Sequence, residues 1–307
     1  MNKRTLTVGC LTAGLSAGLV AGAVSPAAAQ GNPVGGAGNT YHLSGALNDD
    51  GLAQAVFTFG DAGDEVYFGD WYGGDIDLPL VRRGNEFHVP DVEDPSATAA
   101  VFSYGDAGDT VLVGDWDGDG VDSLAVRRGN RFLVKNDNQV SGNADTEFSY
   151  GDEGDTVLVG NWNGELGTGK GDTLMVQRGN TFYVKNDLQT GVAEYTVQFG
   201  DPGDRVLVGD WATITDNGDG TETIDSGDQA DQLAVRRGYT YYLSAELADA
   251  AARKVNPATM RVFGYGDPGD TVFVASLPTP LDADGQYTEG DVDALILGDG
   301  LGVRRSE

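Results

Sequence analysis

Short apolar runs with no polar alternation recur along the chain: Val66-Tyr67-Phe68, Val111-Leu112-Val113, Val157-Leu158-Val159, Val206-Leu207-Val208 and Val272-Phe273-Val274. Such runs predict strands buried on both faces. After each comes a second strand that ends in basic residues: PLVRR, LAVRR, LMVQR, LAVRR and LGVRR, the last over Leu301 to Arg305. A third strand alternates, as in Phe132-Leu133-Val134 after Gly129-Asn130, and a fourth ends in an aromatic before glycine, as in Phe148-Ser149-Tyr150-Gly151. Four short strands per unit, separated by turns, describe a propeller blade.

The glycines that open the third strands are Gly38, Gly84, Gly129, Gly179 and Gly238, at steps of 46, 45, 50 and 59 residues. The chain begins on a third and a fourth strand (40–43 and 55–59) and finishes on a first and a second. The predicted fold is therefore all-β: a β-propeller of five blades, each of four antiparallel strands. Its ring is closed by pairing the N-terminal and C-terminal half-blades, which removes the strand edges an open array would expose.

The motif GDxGD precedes each first strand, at 60–64, 105–109, 151–155, 200–204 and 266–270. Glycine always follows the variable residue, and proline is accepted there (Pro202, Pro268). That is the preference of a type II turn, with φ > 0 expected at the glycine after the variable residue. The motif reads as a connector between blades rather than as an acidic binding site.

Residues 1–29 carry Lys3 and Arg4, an apolar stretch over 11–24 and the small-residue site Ala27-Ala28-Ala29, the pattern of a secretory signal peptide. Residues 30–38 read as a flexible linker by their glycine content, and 39–307 as a single propeller domain. The one helical candidate is Ala245 to Lys254, in a loop before Pro257. The only cysteine, Cys10, lies in the leader, so stability after export must come from the core and from metal. The formal charge is −29, and −31 once Lys3 and Arg4 are removed. Such a surface repels nucleic acid and anionic membrane and favours solubility and cations. No stretch is long enough for a membrane span, and a monomer is expected.

The acid is concentrated between first and second strands. Asp115, Asp117, Asp119 and Asp122 fall within DWDGDGVD, interleaved with Gly118 and Gly120. Carboxylates at alternate places with glycines between them wrap a hard cation in oxygen, and without a counter-ion they repel one another. The other loops depart from this pattern. Asn161, Asn163 and Glu165 hold the same offsets, with Asp172 beyond an insertion, and carry fewer charges. Asp210 precedes a long insert containing Asp216 and Asp219; Asp282 and Asp284 open the last loop. The first loop keeps Asp70, Asp75 and Asp77 but has Tyr72 where a ligand is wanted.

The segment VGDWDGDGVDSLAVRRGN resembles the FG-GAP or VCBS-type repeat, the integrin-α-like propeller blade, in the form secreted by actinobacteria. The resemblance covers roughly 39–305. It implies a propeller whose loops bind calcium structurally, with Asp115, Asp117, Asp119 and Asp122 as ligands, used as an extracellular binding platform. Propellers of this kind accompany cell-wall hydrolases, and no such catalytic domain is evident in the sequence.

Trp71, Trp116, Trp162 and Trp211 occupy one repeat position. A ring of indoles on one face would stack on sugars; an aromatic repeated in this way also suits packing between neighbouring blades. The Arg pairs 82–83, 127–128, 236–237 and 304–305, with Arg178 after Gln177, are placed to bond the aspartates of nearby turns. His42 and His88 share a position that elsewhere holds Leu133, Tyr183 and Tyr242, which excludes a catalytic or ligand role. The stretch GELGTGKG (164–171) imitates a phosphate-binding loop but has Gly171 where Ser or Thr is required.

The functional expectation is a secreted, calcium-stabilised propeller, retained at the cell wall or released, that binds cell-surface or cell-wall glycan or protein and is not an enzyme. The alternative is a glycoside hydrolase with axial carboxylates, which requires two carboxyls about 5–9 Å apart.

Overall fold

The computed structural model describes residues 33–305 except 35–37, 45–54, 75–76, 93, 95, 165–169, 212, 217–221, 226–229, 245–246, 248–253, 256, 258, 269–270 and 277–298. The expected leader lies outside the described residues. Within the expected linker, Val34 is buried and bonds through its N–H to the carbonyl of Val66 at 2.6 Å.

Strands β1 (Thr40–Ser44) and β2 (Ala55–Thr58) open the fold as an antiparallel pair. The first complete sheet is β3 (Glu65–Gly69), β4 (Leu78–Arg83), β5 (Glu86–Pro90) and β6 (Thr98–Ser103), in that order. The second is β7 (Thr110–Gly114), β8 (Ser123–Arg128), β9 (Arg131–Lys135) and β10 (Thr146–Ser149). The third is β11 (Thr156–Gly160), β12 (Thr173–Arg178), β13 (Thr181–Lys185) and β14 (Tyr195–Gln198).

The fourth sheet starts with β15 (Arg205–Gly209), after which β16 (Thr213–Asp216) and β17 (Glu222–Asp225) form a separate hairpin. It resumes with β18 (Gln232–Arg237) and β19 (Thr240–Ser244). The short β20 (Lys254–Val255) crosses to pair in parallel with β14, and β21 (Thr259–Gly264) completes the fourth sheet. Finally β22 (Thr271–Ser276) and β23 (Asp299–Arg305) join the opening pair in a sheet ordered β2-β1-β23-β22.

The fold is all-β, with no helix among the described residues. Of the helical candidate over 245–254, Lys254 lies in β20, and all the rest but Leu247 are outside the described residues. No described helix is long and apolar enough to cross a membrane.

The sheets form a β-propeller-like ring in which β3, β7, β11 and β15 neighbour one another in succession and β22 touches both β15 and β3. The unbroken apolar runs follow from this placement, because each first strand has a sheet on either side. In the second sheet Val111 and Val113 pack with Tyr67, Leu80 and Phe87 of the first. Leu112, between them, packs with Phe132, Val157 and Val159 toward the third. The division repeats: Val206 and Val208 face the third sheet, and Leu207 faces Val272 and Val274. Phe273 in turn packs with Val66, Phe68 and Val81. Each fully buried Val or Leu adds about 1.5–3 kcal/mol, so a polar residue is tolerated at none of the three places. Cross-strand aromatic pairs stiffen the outer half of the first, second and fourth sheets. Phe87–Phe102, Phe132–Phe148 and Tyr241–Phe263 are register partners with ring centroids 5.3, 5.3 and 5.1 Å apart.

The GDxGD segments at 60–64, 105–109, 151–155 and 200–204 are turns, as expected, and the last two residues of the fifth lie outside the described residues. Asp64, Asp109, Asp155 and Asp204 donate their N–H to Asp61, Asp106, Asp152 and Asp201 at 3.0–3.1 Å. The glycine requirement differs from the type II expectation. Among the described residues, Gly63 and Gly203 adopt φ > 0 in the turn, both at +95°, whereas Gly108 and Gly154 do not. The leading glycine is the constant left-handed one, at +64° for Gly105. A Cβ there would lie 2.7 Å from Asp109 Oδ2 and 2.8 Å from Val126 Cγ1. Any side chain at that place is excluded by conformation and by space together.

In the pairs whose side chains are described, the two arginines do different work. Arg128 bonds back to the carboxylates of Asp106 and Asp109, both at 2.7 Å, in the turn that opens its own sheet. Arg83, Arg178 and Arg237 do the same with their own turns. The first arginine of the pair reaches forward. Arg82 donates to the carbonyls of Asp106 and Asp109, and Arg127 to those of Asp152 and Asp155, in the turn of the following sheet. Each guanidinium also lies over an aromatic ring of its own sheet, Phe87 at 5.8 Å and Phe132 at 5.7 Å. The turn at 105–109 is thereby gripped from both sheets it joins.

Candidate functional site

The loop from Gly114 to Ser123 coils around one carboxylate. Asp115 Oδ1 accepts the N–H of Gly118 (2.8 Å) and Asp119 (3.1 Å), and Oδ2 that of Gly120 (2.9 Å). Gly118 and Gly120, at φ +73° and +83°, allow the chain to fold back this tightly. The Trp116 indole N–H closes the loop on the Ser123 carbonyl at 3.2 Å. The result gathers Asp115, Asp117 and Asp119, with one oxygen of each within 4.8 Å of the others.

The electrostatics bear the mark of this crowding. Withdrawal of Asp117 from water raises its pKa, and the carboxylates of Asp119 and Asp115 raise it further, against bonds from the Asp119 backbone and the Asn136 side chain. A hard divalent cation among the three oxygens would neutralise that repulsion, and carboxylate oxygens at alternate places are the donors such an ion takes. The residues fit calcium.

Asp122 is placed elsewhere. Its Oδ2 accepts the N–H of Asp70 at 2.8 Å, and its own N–H donates to the Asp70 carbonyl at 2.7 Å, joining the second sheet to the first. Asp172 makes the same reciprocal pair with Asp115, and Asp231 with Asn161. The last acidic residue of each of these loops is therefore a latch between consecutive sheets. Loss of hydration raises the pKa of Asp122 well above the usual range, and Asp77 and Asp172 raise it further. This row of approaching carboxylates had no signal in the sequence, since each latch joins residues about one unit apart.

The first loop shows the same coil with fewer acids. Asp70 accepts three N–H groups, from Tyr72, Gly73 and Gly74, at 2.7–3.1 Å. Tyr72, which replaces the second ligand, sends its hydroxyl to the Pro90 carbonyl at 2.6 Å. In the third loop Asn161 is engaged by Asp231, and Asn163 is described, but Glu165 is not. In the fourth, Asp210 is half-buried, Asp216 lies in β16 and Asp219 is outside the described residues, as are Asp282 and Asp284.

The four indoles are buried, between 1% and 4% exposed, and Trp71 repeats the Trp116 arrangement by donating to the Leu78 carbonyl at 2.7 Å. Trp162 and Trp211 have no partner for their buried N–H among the described residues. Theirs are the loops that carry insertions.

Two asparagines on the loops between third and fourth strands escaped the sequence reading. Asn138, 5% exposed, donates to the carbonyls of Trp71 (3.2 Å) and Asp122 (2.7 Å) and seals the joint of the first two sheets. Asn136 bonds Asp117. The repeated tripeptide Lys-Asn-Asp, at 135–137 and 185–187, was the available signal. No protein family and no curated protein matches this chain.

Proposed function

We propose that this chain is a secreted β-propeller of the FG-GAP or VCBS type, stabilised by calcium. In this reading it serves as a binding module for glycan or protein at the cell surface or cell wall. Its five larger sheets are five blades, and the ring is closed where β1 of the N-terminal half meets β23 of the C-terminal half. The pairing of Thr40 with Arg305 through Ser44 with Leu301, and the packing of Phe273 against Phe68, support that closure.

The observation that carries the calcium reading is the convergence of Asp115, Asp117 and Asp119 within one loop. Calcium held there would fix the loop face against the carboxylate repulsion described above. A binding role is favoured over hydrolysis because the acids nearest the sheet joints, Asp122, Asp172 and Asp231, are committed to backbone N–H groups. Export is supported by the leader-like residues 1–29.

The test is a binding screen of the purified chain against peptidoglycan, polysaccharide panels and extracellular matrix proteins, with calcium and with EDTA. Retention on one ligand class, weakened by EDTA, is the expected result. Silence across all of them would remove the binding-module reading.

A further inference from the structure

The outer strands of the sheets are finished unequally. Val101, Glu147 and Thr196 hold one place in β6, β10 and β14, because their register partners His88, Leu133 and Tyr183 are themselves equivalent. On β14 the edge is taken: Lys254 of β20 pairs with Thr196, and Val255 with Val197, in parallel. On β10 the place holds a charge, Glu147, ion-paired with Arg131. β6 has neither. We propose that the open edge of β6 is a docking site for an extended, basic segment of a partner protein, which adds a strand to the first sheet as β20 does to the third. The proposal goes beyond the calcium and glycan readings and depends on neither.

The backbone at this edge is available. Ser103 turns its N–H outward, to Ser141 Oγ at 2.9 Å, so Val101, two residues earlier, presents its N–H and carbonyl to the same side. Neither group has a partner among the described residues. An unpaired strand edge is a template for pairing, and charged side chains are the usual protection. The sequence of β6, TAAVFS, has no charge in six residues, and Val101 is 51% exposed. By contrast, β21 places Arg261 beside its exposed Val262, and β2 offers four residues.

Charge selects the occupant. A net charge of −29 opposes a second copy of this chain as the neighbour. The acids bordering β6, exposed Glu86 opposite Ser103 and exposed Asp94 ahead of Thr98, attract cationic side chains. The strand that the molecule itself adds, Lys254-Val255, follows Arg253 in the sequence and joins basic to β-branched residues. Main-chain bonds would hold such a segment on β6, and its alternate side chains would select it.

Fluorescence anisotropy of a labelled synthetic peptide copying residues 251–257 of this chain, titrated with the full protein, tests this. Saturable binding is expected. Val101→Pro removes the outward N–H and leaves the bonds to β5, and Val101→Lys sets a repelling charge on the edge. Each is expected to weaken binding about tenfold. Replacing both basic residues of the peptide by Glu should weaken it as far. Melting of both protein variants verifies the fold. Unchanged affinity in Val101→Pro and Val101→Lys would overturn the site, and equal affinity for the acidic peptide would overturn the assigned class of partner. No binding of the peptide to the wild type would overturn the docking edge and leave the calcium and glycan readings standing. A dimer of the chain that Val101→Pro dissolves would assign the edge to a second copy and overturn the partner.

Discussion

Asp122 and Asp70 hold each other twice: the Asp122 carboxylate accepts the Asp70 N–H at 2.8 Å, and the Asp122 N–H donates to the Asp70 carbonyl at 2.7 Å. The pair ties the start of β8 to the end of β3, across the joint of two sheets. The same residue carries an electrostatic burden, because its carboxyl is withdrawn from water beside Asp77 and Asp172.

The two roles separate on substitution. Asp122→Ala leaves the Asp70 N–H without its acceptor and is expected to cost about 1–3 kcal/mol. Asp122→Asn keeps an acceptor oxygen and removes the charge, so its stability at neutral pH is expected to match or exceed wild type. Urea unfolding of both variants checks the order. A less stable asparagine than alanine variant would contradict the latch.

The arginine grip gives a second expectation. Arg127 bonds three carbonyls of the turn at 152–155, whereas Gln177, in the same place one sheet later, reaches only its own Gly179. Arg127→Gln is expected to lower stability by about 1.5–3 kcal/mol, the range for hydrogen bonds to charged groups. Gln177→Arg, which supplies the missing reach toward the turn at 201–204, should raise it by up to about 1 kcal/mol. Thermal melts would register these as shifts of about 2–4 °C per kcal/mol.

The response to acid follows from the turns. Side-chain bonds from Arg83, Arg128, Arg178 and Arg237 hold Asp64, Asp109, Asp155 and Asp204 below the usual carboxylate range, against the opposing effect of burial. A depressed folded-state pKa means stabilisation that is complete above the unfolded value of about 3.9 and is lost as pH falls through the lower folded value. Melting temperature is therefore expected to drop steeply below about pH 4, less so in Arg128→Ala, where Asp109 has already lost its partner. The guanidinium of Arg128 is 42% exposed, so high salt should flatten the same arm. Asp117 and Asp122 act in the opposite sense. Their raised values mean stability present below the unfolded pKa and lost as pH rises through the folded one. In EDTA, stability is expected to peak on the mildly acid side of neutrality.

Much of this architecture was legible in the chain. The Val-Leu-Val runs announce strands enclosed on both faces because alternate residues face different sheets and both faces are dry. The GDxGD connector was equally plain, but its glycines were read in the wrong order of importance. Sequence shows that Gly108 is constant, yet only the packing of Val126 and Asp109 around Gly105 shows why the leading glycine cannot change. The split between arginines was hidden for a similar reason: adjacent residues on a strand point to opposite sides, and the forward partner is a backbone carbonyl that carries no sequence signature. Asp122 looked like the fourth member of an acidic loop because it lies three residues from Asp119. In space it belongs to Asp70, 52 residues away.

The measurement that bears most directly on the account is calorimetric melting of the chain with saturating calcium and with EDTA, in wild type and in Asp117→Asn. A site filled at one hundred times its dissociation constant contributes about 2.7 kcal/mol, so calcium is expected to raise the wild-type midpoint by several degrees. The rise should shrink in Asp117→Asn. Identical midpoints with calcium and with EDTA in the wild type would contradict a calcium site at Asp115, Asp117 and Asp119.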